Sequence, residues 1–168
     1  MNKMEKALET CIDMLLERGY KYYDENSGIM SDDKNNSIFI FILPTGKLTI
    51  DQIKTFIMKA KQYDITHFIV IINDNITPTA KKYIHDIPDM KCELFTCSEL
   101  QYNITRHYLV PNHVKLEPRQ ANYIRKTTNN KLPIMLHTDP ISRFYDYSTG
   151  DIIRIDRKDG SIIYRIVK

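Results

Sequence analysis

The sequence is poor in the residues that build several kinds of functional site. Only 5 of its 168 residues are glycine, and they are scattered, so no glycine-rich loop is present to cradle nucleotide phosphates. Three cysteines, Cys11, Cys92 and Cys97, form an odd and sparse set, which argues against a disulfide framework. No apolar run approaches the ~18 residues that a membrane-spanning helix requires, so no membrane association is expected.

Other absences narrow the possible activities. Acidic residues interrupt the first twenty positions and no small-residue cleavage site follows, so we expect no signal peptide and an intracellular protein. Serine, histidine and aspartate occur, but no nucleophile-elbow motif arranges them. The sequence therefore nominates no catalytic residue and no cofactor.

A zinc site is one alternative that the residues leave open. Cys92 and Cys97 lie within reach of His85, His107 and His113 along the chain. Structural zinc sites usually take ligand pairs two to four residues apart on a tight turn, and this spacing fits no such pattern. Cys92 also falls inside a predicted strand, so core packing is the simpler interpretation.

A metal-dependent nuclease is a second alternative. Such enzymes place two carboxylates and a lysine on neighbouring strands around a metal ion. The apolar strands predicted at 37–43 and 66–72 carry no acidic residue. The Asp-Asp-Lys triplet at 32–34 falls in a predicted loop. Asp51 lies at the start of a predicted helix, where its negative charge interacts favourably with the helix dipole. The paired carboxylates of that chemistry are therefore missing from these strands.

Two apolar, β-prone runs dominate the first half of the chain. Residues 37–43 (SIFIFIL) and 66–72 (THFIVII) are almost continuously apolar, as is typical of strands buried on both faces. Between them, Thr49 and Gln52 form a capping-box pair that predicts a helix as far as about Tyr63. Strand, helix and strand within ~35 residues predict a parallel βαβ unit.

Further signals complete a small α/β domain, which we expect over residues 1–97. Thr77 suits the N-cap of a helix and Pro78 its first position. The other predicted elements are a helix over 3–18, a polar loop over 20–37 that could begin with a weak strand at 20–23, a helix ending near His85 and a strand over 91–95.

Residues 98–168 predict a second, smaller domain with a mixed sheet, so that the whole chain is of the α+β class. Asp139 suits an N-cap and Pro140 the first position of a short helix, which we expect Gly150 to end. The remaining predicted elements are a helix over 116–126, an extended segment at 132–133 and a hairpin of 151–155 with 161–167.

Charge is distributed unevenly between the two predicted domains. Residues 1–97 carry 12 Lys and Arg against 14 Asp and Glu, whereas residues 98–168 carry 12 against 7. The excess of positive charge in the second domain favours an anionic partner, either nucleic acid or an acidic protein surface. The alternative is that these charges only face solvent, since an ordinary solvated surface can have the same composition.

A series of short motifs in fixed order carries a resemblance to a known family. In chain order they are Thr77-Pro78-Thr79-Ala80, Asn103-Ile-Thr-Arg-His107, Leu109-Val-Pro-Asn-His113, Leu132-Pro133, Asp139-Pro140, Arg143-Phe144, Gly150-Asp151, Ile155 and Tyr164-Arg165. From about residue 65 onward, this order closely resembles the fifth subunit shared by eukaryotic nuclear RNA polymerases, whose C-terminal domain has a counterpart among the small subunits of the archaeal enzyme.

The resemblance implies a non-catalytic subunit of a multisubunit DNA-directed RNA polymerase. The N-terminal domain would be a jaw, similar in fold to restriction endonucleases but inactive, that contacts downstream double-stranded DNA. The C-terminal domain would be an assembly domain that docks on the largest subunit beside small core subunits. The expected location is the nucleus for a cellular protein, or the virion or cytoplasmic factory for a viral one.

The resemblance also nominates site residues. The jaw residues expected near DNA are Thr77, Pro78, Thr79, Lys81 and Lys82. Those expected at the subunit interface are His107, Pro111, His113, Pro133, Asp139, Pro140, Arg143, Gly150, Arg154, Tyr164 and Arg165. Arg154 and Arg165 would be cross-strand neighbours if the hairpin register permits it. The alternative functions are a stand-alone nucleic-acid-binding module and a metal-dependent nuclease.

Overall fold

The chain forms two compact units, each built around one mixed sheet. The structure is a computed structural model that describes residues 2–73 and 75–168. One unit extends to Tyr102 and the other runs from Asn103 to Lys168. Each combines helices with parallel and antiparallel strand pairs, which confirms the predicted α+β class. None of the helices in the described ranges has the length and apolarity to traverse a bilayer.

The N-terminal unit contains a five-stranded sheet in the order β1-β2-β3-β4-β5. Its elements are α1 (Lys3–Glu17), β1 (Tyr22–Asp24), β2 (Ile29–Ser31), β3 (Ser37–Leu43), α2 (Ile50–Gln62), β4 (His67–Ile72), α3 (Pro78–His85) and β5 (Lys91–Thr96). Strands β3, β4 and β5 are parallel, as the βαβ pattern predicts for the first two, and β1 and β2 add antiparallel pairs.

Local signals set the helix boundaries of this unit. Thr49 caps α2 by accepting the backbone N–H of Gln52, whose side chain in turn accepts the Thr49 N–H at 2.9 Å. This reciprocal capping box satisfies two N–H groups that would otherwise lack a partner at the helix start. The predicted helices over 3–18 and from Pro78 to His85 are confirmed to within one residue.

The central strands supply the core. Phe39 and Phe41 on β3 and Phe68 on β4 pack in one cluster with Ile53 of α2 and Ala80 of α3. The strand residues between them are buried as well, so both faces of the sheet centre are covered. The continuous apolar runs in the sequence reflect this two-sided burial.

A hairpin of β1 and β2 occupies the segment that the sequence predicts as a loop. Asp24 organises its turn by accepting hydrogen bonds from Asn26 N–H at 3.0 Å and Ser27 Oγ at 2.7 Å. Gly28 follows with a φ of +77°, and a Cβ there would lie 2.9 Å from the Ile40 carbonyl oxygen. The weak strand predicted at 20–23 overlaps β1 at Tyr22 and Tyr23, whereas the loop prediction is wrong at Asp24 and at 29–31, because turn chemistry rather than periodicity defines strands of three residues.

The C-terminal unit contains a four-stranded sheet in the order β6-β8-β9-β7. Its elements are a 3₁₀ turn (Ile104–Arg106), β6 (Asn112–Lys115), α4 (Pro118–Thr127), β7 (Ile134–Met135), α5 (Pro140–Tyr145), β8 (Ile152–Asp156) and β9 (Ile162–Val167). The predicted terminal hairpin is present as antiparallel β8 and β9, whereas β6, its neighbour on the outer side, has no prediction.

Two local details of this unit differ from the sequence predictions. Helix α5 ends at Tyr145 and its C-cap is Asp146, which adopts a left-handed conformation with φ 56°, whereas Gly150 lies in the turn before β8. Asp146 can do so because its short polar side chain tolerates this region better than most residues. The register of β8 and β9 places Tyr164 opposite Arg154, so Arg154 and Arg165 are not directly paired.

Candidate nucleic-acid and subunit interfaces

The start of α3 holds the residues nominated for DNA contact. Thr77 caps the helix through its Oγ1, which accepts the Ala80 N–H at 3.2 Å, and Pro78 takes the first helical position. The Thr77 backbone N–H also donates to the Leu48 carbonyl at 3.1 Å. This bond ties the start of α3 to the segment that precedes α2.

The exposed groups at this helix start are fewer than the motif suggests. Thr77 already occupies the Ala80 N–H, Pro78 has none, and among the described residues the Thr79 N–H has no acceptor. Thr79, Lys81 and Lys82 are all exposed. The helix start therefore presents one backbone donor and two exposed lysines, which suit a phosphate but carry no base-reading geometry.

A buried charge cluster that the sequence analysis missed lies in the same unit. The Glu93 carboxylate on β5 accepts hydrogen bonds from Arg18 Nη1 at 2.7 Å and Nη2 at 2.8 Å, and pairs with His67 Nε2 at 2.7 Å. Arg18 and Glu93 lie 75 positions apart, so no local pattern could reveal the pair.

The cluster keeps Glu93 ionised. Burial alone would raise the pKa of the Glu93 carboxyl, but the hydrogen bonds from His67 and Arg18 outweigh it and lower that pKa to about 2. Both carboxylate oxygens already accept bonds from Arg18, so the geometry is that of a structural ion pair joining α1 to β5.

The cysteines of the zinc alternative lie in packed surroundings. Burial raises the pKa of the Cys92 thiol to about 12, which opposes the thiolate form that zinc requires. Cys97 is buried and its thiol donates to the Lys3 carbonyl at 3.3 Å. Cys11 is buried on α1, where burial raises its pKa to about 12 as well. All three behave as core residues.

In the C-terminal unit, two adjoining depressions form a groove beside the β8–β9 turn. They have volumes of about 320 Å³ and 560 Å³ and share Leu109, Pro111 and Arg157. We call this feature the Pro111 groove. Its remaining lining residues are Tyr108, Val110, His113, Met135, Asp139, Ile141, Ile155, Lys158, Asp159, Ile163 and Arg165.

Hydrogen bonds within the groove fix His113. Its Nδ1 lies 2.8 Å from the Pro111 carbonyl, and the carbonyl of His113 accepts the Tyr147 hydroxyl at 3.4 Å. Burial lowers the pKa of the His113 ring. The hydrogen bond to Pro111 and the charge of Asp139 oppose this by less, and Arg165 makes the smallest contribution, which again lowers the pKa. His113 is therefore neutral at pH 7 and the groove's positive charge comes from its arginines and lysine.

The structure distributes the nominated interface residues over three settings. Four of them line the Pro111 groove, namely Pro111, His113, Asp139 and Arg165. Arg154 and Tyr164 lie on the opposite face of the sheet, because neighbouring residues in a strand point to opposite faces. The others, His107, Pro133, Pro140, Arg143 and Gly150, lie in turns, at strand ends and on α5.

Several of the residues in turns and at helix ends form hydrogen bonds that fix the backbone. Asp139 Oδ1 accepts the Ile141 N–H at 2.9 Å and so caps α5, with Pro140 in its first turn. The Pro133 carbonyl accepts the Ile166 N–H at 2.9 Å, and the Gly150 carbonyl accepts a hydrogen bond from Arg125.

Exposed apolar side chains beside the groove were not nominated from the sequence. Tyr108 and Leu109 are 68% and 69% exposed, although both sit in a segment that packs Val110 against the core. Large apolar residues exposed beside a groove are typical of surfaces that bind another chain. The motif Leu109-Val-Pro-Asn-His113 contained them, but only coordinates separate its inward from its outward residues.

Comparison with known proteins gives consistent matches. A family model described as RNA polymerase Rpb5, C-terminal domain, matches residues 102–167. A Dictyostelium discoideum protein named DNA-directed RNA polymerases I, II, and III subunit rpabc1 is 32% identical over 135 residues, covering 77% of this chain and 68% of that protein.

Two further relatives broaden the range of sources. The Caenorhabditis elegans protein named DNA-directed RNA polymerases I, II, and III subunit RPABC1 is 31% identical over 147 residues, covering 82% of this chain and 69% of that protein. A putative DNA-directed RNA polymerase subunit of Invertebrate iridescent virus 6 is 39% identical over 112 residues, covering 60% of this chain and 61% of that protein.

Proposed function

The chain belongs to the RNA polymerase Rpb5 family, and from that premise we propose that its C-terminal unit docks on the largest polymerase subunit while its N-terminal unit contacts downstream DNA. As a member of this family it is a non-catalytic subunit of a DNA-directed RNA polymerase, and its partners are other polymerase subunits. Nucleotide polymerisation is the work of those partners.

The observation that carries the docking proposal is the extent of the family match. Residues 102–167 match the family model, and the C-terminal unit spans Asn103–Lys168, so the match covers one compact body. This unit carries 12 Lys and Arg against 6 Asp and Glu, and it exposes Tyr108 and Leu109. Positive charge with exposed apolar side chains suits an acidic protein surface that also offers apolar contacts.

The DNA proposal rests on the start of α3. Lys81 and Lys82 are exposed on a helix whose first turn includes Thr79, and among the described residues the Thr79 N–H has no acceptor. Such a site attracts phosphates of either strand without reading sequence. The N-terminal unit as a whole is acidic, with 12 Lys and Arg against 15 Asp and Glu, so any DNA contact has to be local.

Co-purification tests the docking proposal. An affinity-tagged chain, expressed where its own polymerase is assembled, should recover the two large polymerase subunits in stoichiometric amounts and survive a high-salt wash, as obligate interfaces do. Recovery of the tagged chain without large subunits would contradict docking and would favour a stand-alone nucleic-acid-binding module.

The salt dependence of DNA binding tests the jaw proposal. The assembled polymerase carrying Lys81→Ala and Lys82→Ala should bind downstream duplex with a slope of log Kobs against log salt shallower by about 1.8, since each phosphate contact contributes about 0.9. Lys54→Ala, which removes an exposed lysine from α2, is the matched control. An unchanged slope in the double variant would show that α3 does not touch DNA.

The relatives also bear on location. Two of those described above are named as subunits of polymerases I, II and III, and one belongs to Invertebrate iridescent virus 6. We therefore propose a nuclear location if the chain is cellular, and a virion or cytoplasmic viral factory if it is viral. Immunofluorescence against the native chain distinguishes the two.

A further inference from the structure

The Pro111 groove combines an apolar floor with a cationic rim. Met135, Ile141 and Ile155 are buried beneath it, so a ligand meets packed aliphatic surface. Arg157 and Lys158 stand exposed at the β8–β9 turn, and Arg165 lines the same depression.

The acids of the groove are already engaged. Asp139 Oδ1 accepts the Ile141 N–H at 2.9 Å, and Asp159 Oδ1 accepts the Ser161 N–H at 2.8 Å and the Ser161 hydroxyl at 2.6 Å. Within the described ranges, the Arg157 guanidinium forms no ion pair. The Ser161 hydrogen bonds, and more weakly the nearby charge of Arg157, lower the pKa of Asp159. The groove as a whole is lined by three cations, Arg157, Lys158 and Arg165, against these two acids, so it carries an excess of positive charge.

We propose that the Pro111 groove receives an extended segment of another polymerase subunit in which an acidic residue lies next to an aliphatic one. The acidic side chain pairs with Arg157 at the rim, and the aliphatic side chain packs on the floor beside Leu109. This inference rests on the proposed function, since it assumes that the chain is assembled into a polymerase.

The chemistry of the groove favours protein over nucleic acid. A phosphate backbone gains little from Met135, Ile141 and Ile155, whereas an aliphatic side chain gains about 25 cal/mol for each Å² of apolar surface removed from water. Lys158 Nζ lies 5.4 Å from the centroid of the Tyr108 ring, so a base that stacked on that face of the ring would have to displace a cation.

Site-specific photocrosslinking tests the position of the contact. Tyr108 and Tyr123 are 68% and 67% exposed in the same unit, but only Tyr108 borders the groove. Each is replaced separately by p-benzoylphenylalanine in the full chain, which is then assembled into polymerase and irradiated. We expect the Tyr108 variant to crosslink to a polymerase subunit, at a peptide containing Asp or Glu beside Leu, Ile or Val.

Several results would overturn the groove assignment while leaving the proposed function intact. These are a polymerase that assembles normally but yields no crosslink from position 108, a crosslink to nucleic acid, or a crosslinked peptide without an acidic residue. Equal crosslinking of positions 108 and 123 to one segment would also overturn it. Failure of the wild-type chain to assemble would instead refute the proposed function itself.

Charge reversal tests the rim independently. Arg157→Glu should reduce retention of the chain in the polymerase, measured by competition with tagged wild-type chain, by at least about tenfold, because it sets two like charges together. Arg119→Glu reverses an exposed charge on α4, away from the groove, and should compete like wild type. Circular dichroism of both variants checks that each is folded, and equal retention of the two would overturn the pairing with Arg157.

Discussion

The two units differ in how completely each buries its own strands and helices. In the N-terminal unit, every residue of β4 after His67 is buried, and α2 and α3 both contribute to the core. In the C-terminal unit, Val167 alone is buried in β9, and α4 buries no residue. Burial is therefore more nearly complete in β4 than in β9 and α4, whose residues leave sheet and helix surface exposed.

Charge follows the same division. The N-terminal unit carries a net −3 and the C-terminal unit a net +6, which together give the +3 of the chain. The C-terminal unit has only 66 residues, so its positive side chains repel one another. An acidic surface that covered the unit would reduce this repulsion. Incomplete burial and unbalanced charge thus coincide in the unit that matches the polymerase family model.

The largest effect should come from truncating the core of the N-terminal unit. Phe68 is fully buried on β4, so Phe68→Ala should lower the free energy of unfolding of that unit by about 3–5 kcal/mol. Met58→Ala, on the exposed side of α2, is the control and should stay within about 0.5 kcal/mol of wild type. Native-state hydrogen exchange, resolved by unit, is the measurement. A loss below about 1 kcal/mol would contradict the close packing of Phe68 in the core of that unit.

The next largest effect should come from Glu93. Its side chain is 11% exposed, so Glu93→Gln removes a bidentate counter-charge from the buried Arg18 and should cost about 3 kcal/mol at pH 7. Glu9→Gln, on the exposed face of α1, is the matched control. Urea denaturation at several pH values provides the measurement.

The pH dependence of that difference has a definite sign. The pKa of Glu93 falls from 4.5 to about 2 on folding, so its contribution is complete above 4.5 and is lost as the pH drops from there towards 2. The gap between wild type and Glu93→Gln should therefore shrink in that window. If the difference in free energy of unfolding between wild type and Glu93→Gln did not change between about pH 5 and pH 2, altered packing and not the lost charge would explain the destabilisation.

A smaller effect is expected in the C-terminal unit at His113. Burial lowers the pKa of its ring below the ordinary 6.5, so on acidification the unfolded chain takes up the proton first and stability falls with pH. His113→Asn keeps a donor for the Pro111 carbonyl but removes the titrating ring. Its stability should change less between pH 7 and 5 than that of wild type, by thermal unfolding, with the exposed His85→Asn as control.

Much of the N-terminal fold could be predicted from the sequence because its signals are local. The continuous apolar runs at 37–43 and 66–72 predict strands that are buried on both faces. Thr49 and Gln52, which form a capping box within four residues of sequence, predict where α2 begins. Strand β2 and its pairing with β1 were not predicted, because these short strands depend on the Asp24 turn and on Gly28.

The candidate sites were less accessible to sequence reasoning. The Pro111 groove is lined by segments around Leu109, Met135 and Arg157, which are far apart in the sequence. No hydrophobic periodicity in these segments predicts that they lie together. The Arg18–Glu93 pair likewise joins residues 75 positions apart. Motif resemblance identified the family, but the roles of the jaw and interface residues remain predictions.

The smallest effect on stability should come from Leu109, and it sharpens the contrast between the units most. Leu109 is 69% exposed, so Leu109→Ser removes little buried surface and should change the stability of the free chain by less than about 0.5 kcal/mol. If a partner covers the Pro111 groove, the same change should weaken retention in the polymerase several-fold, because the lost apolar contact matters only in the complex.

Thermal unfolding of the free chain and competition with tagged wild-type chain measure the two effects separately. Leu16→Ser, at 48% exposure on α1, should leave both nearly unchanged. Equal retention of the Leu109 and Leu16 variants would mean that exposed apolar surface in the C-terminal unit has no more part in assembly than that of the N-terminal unit.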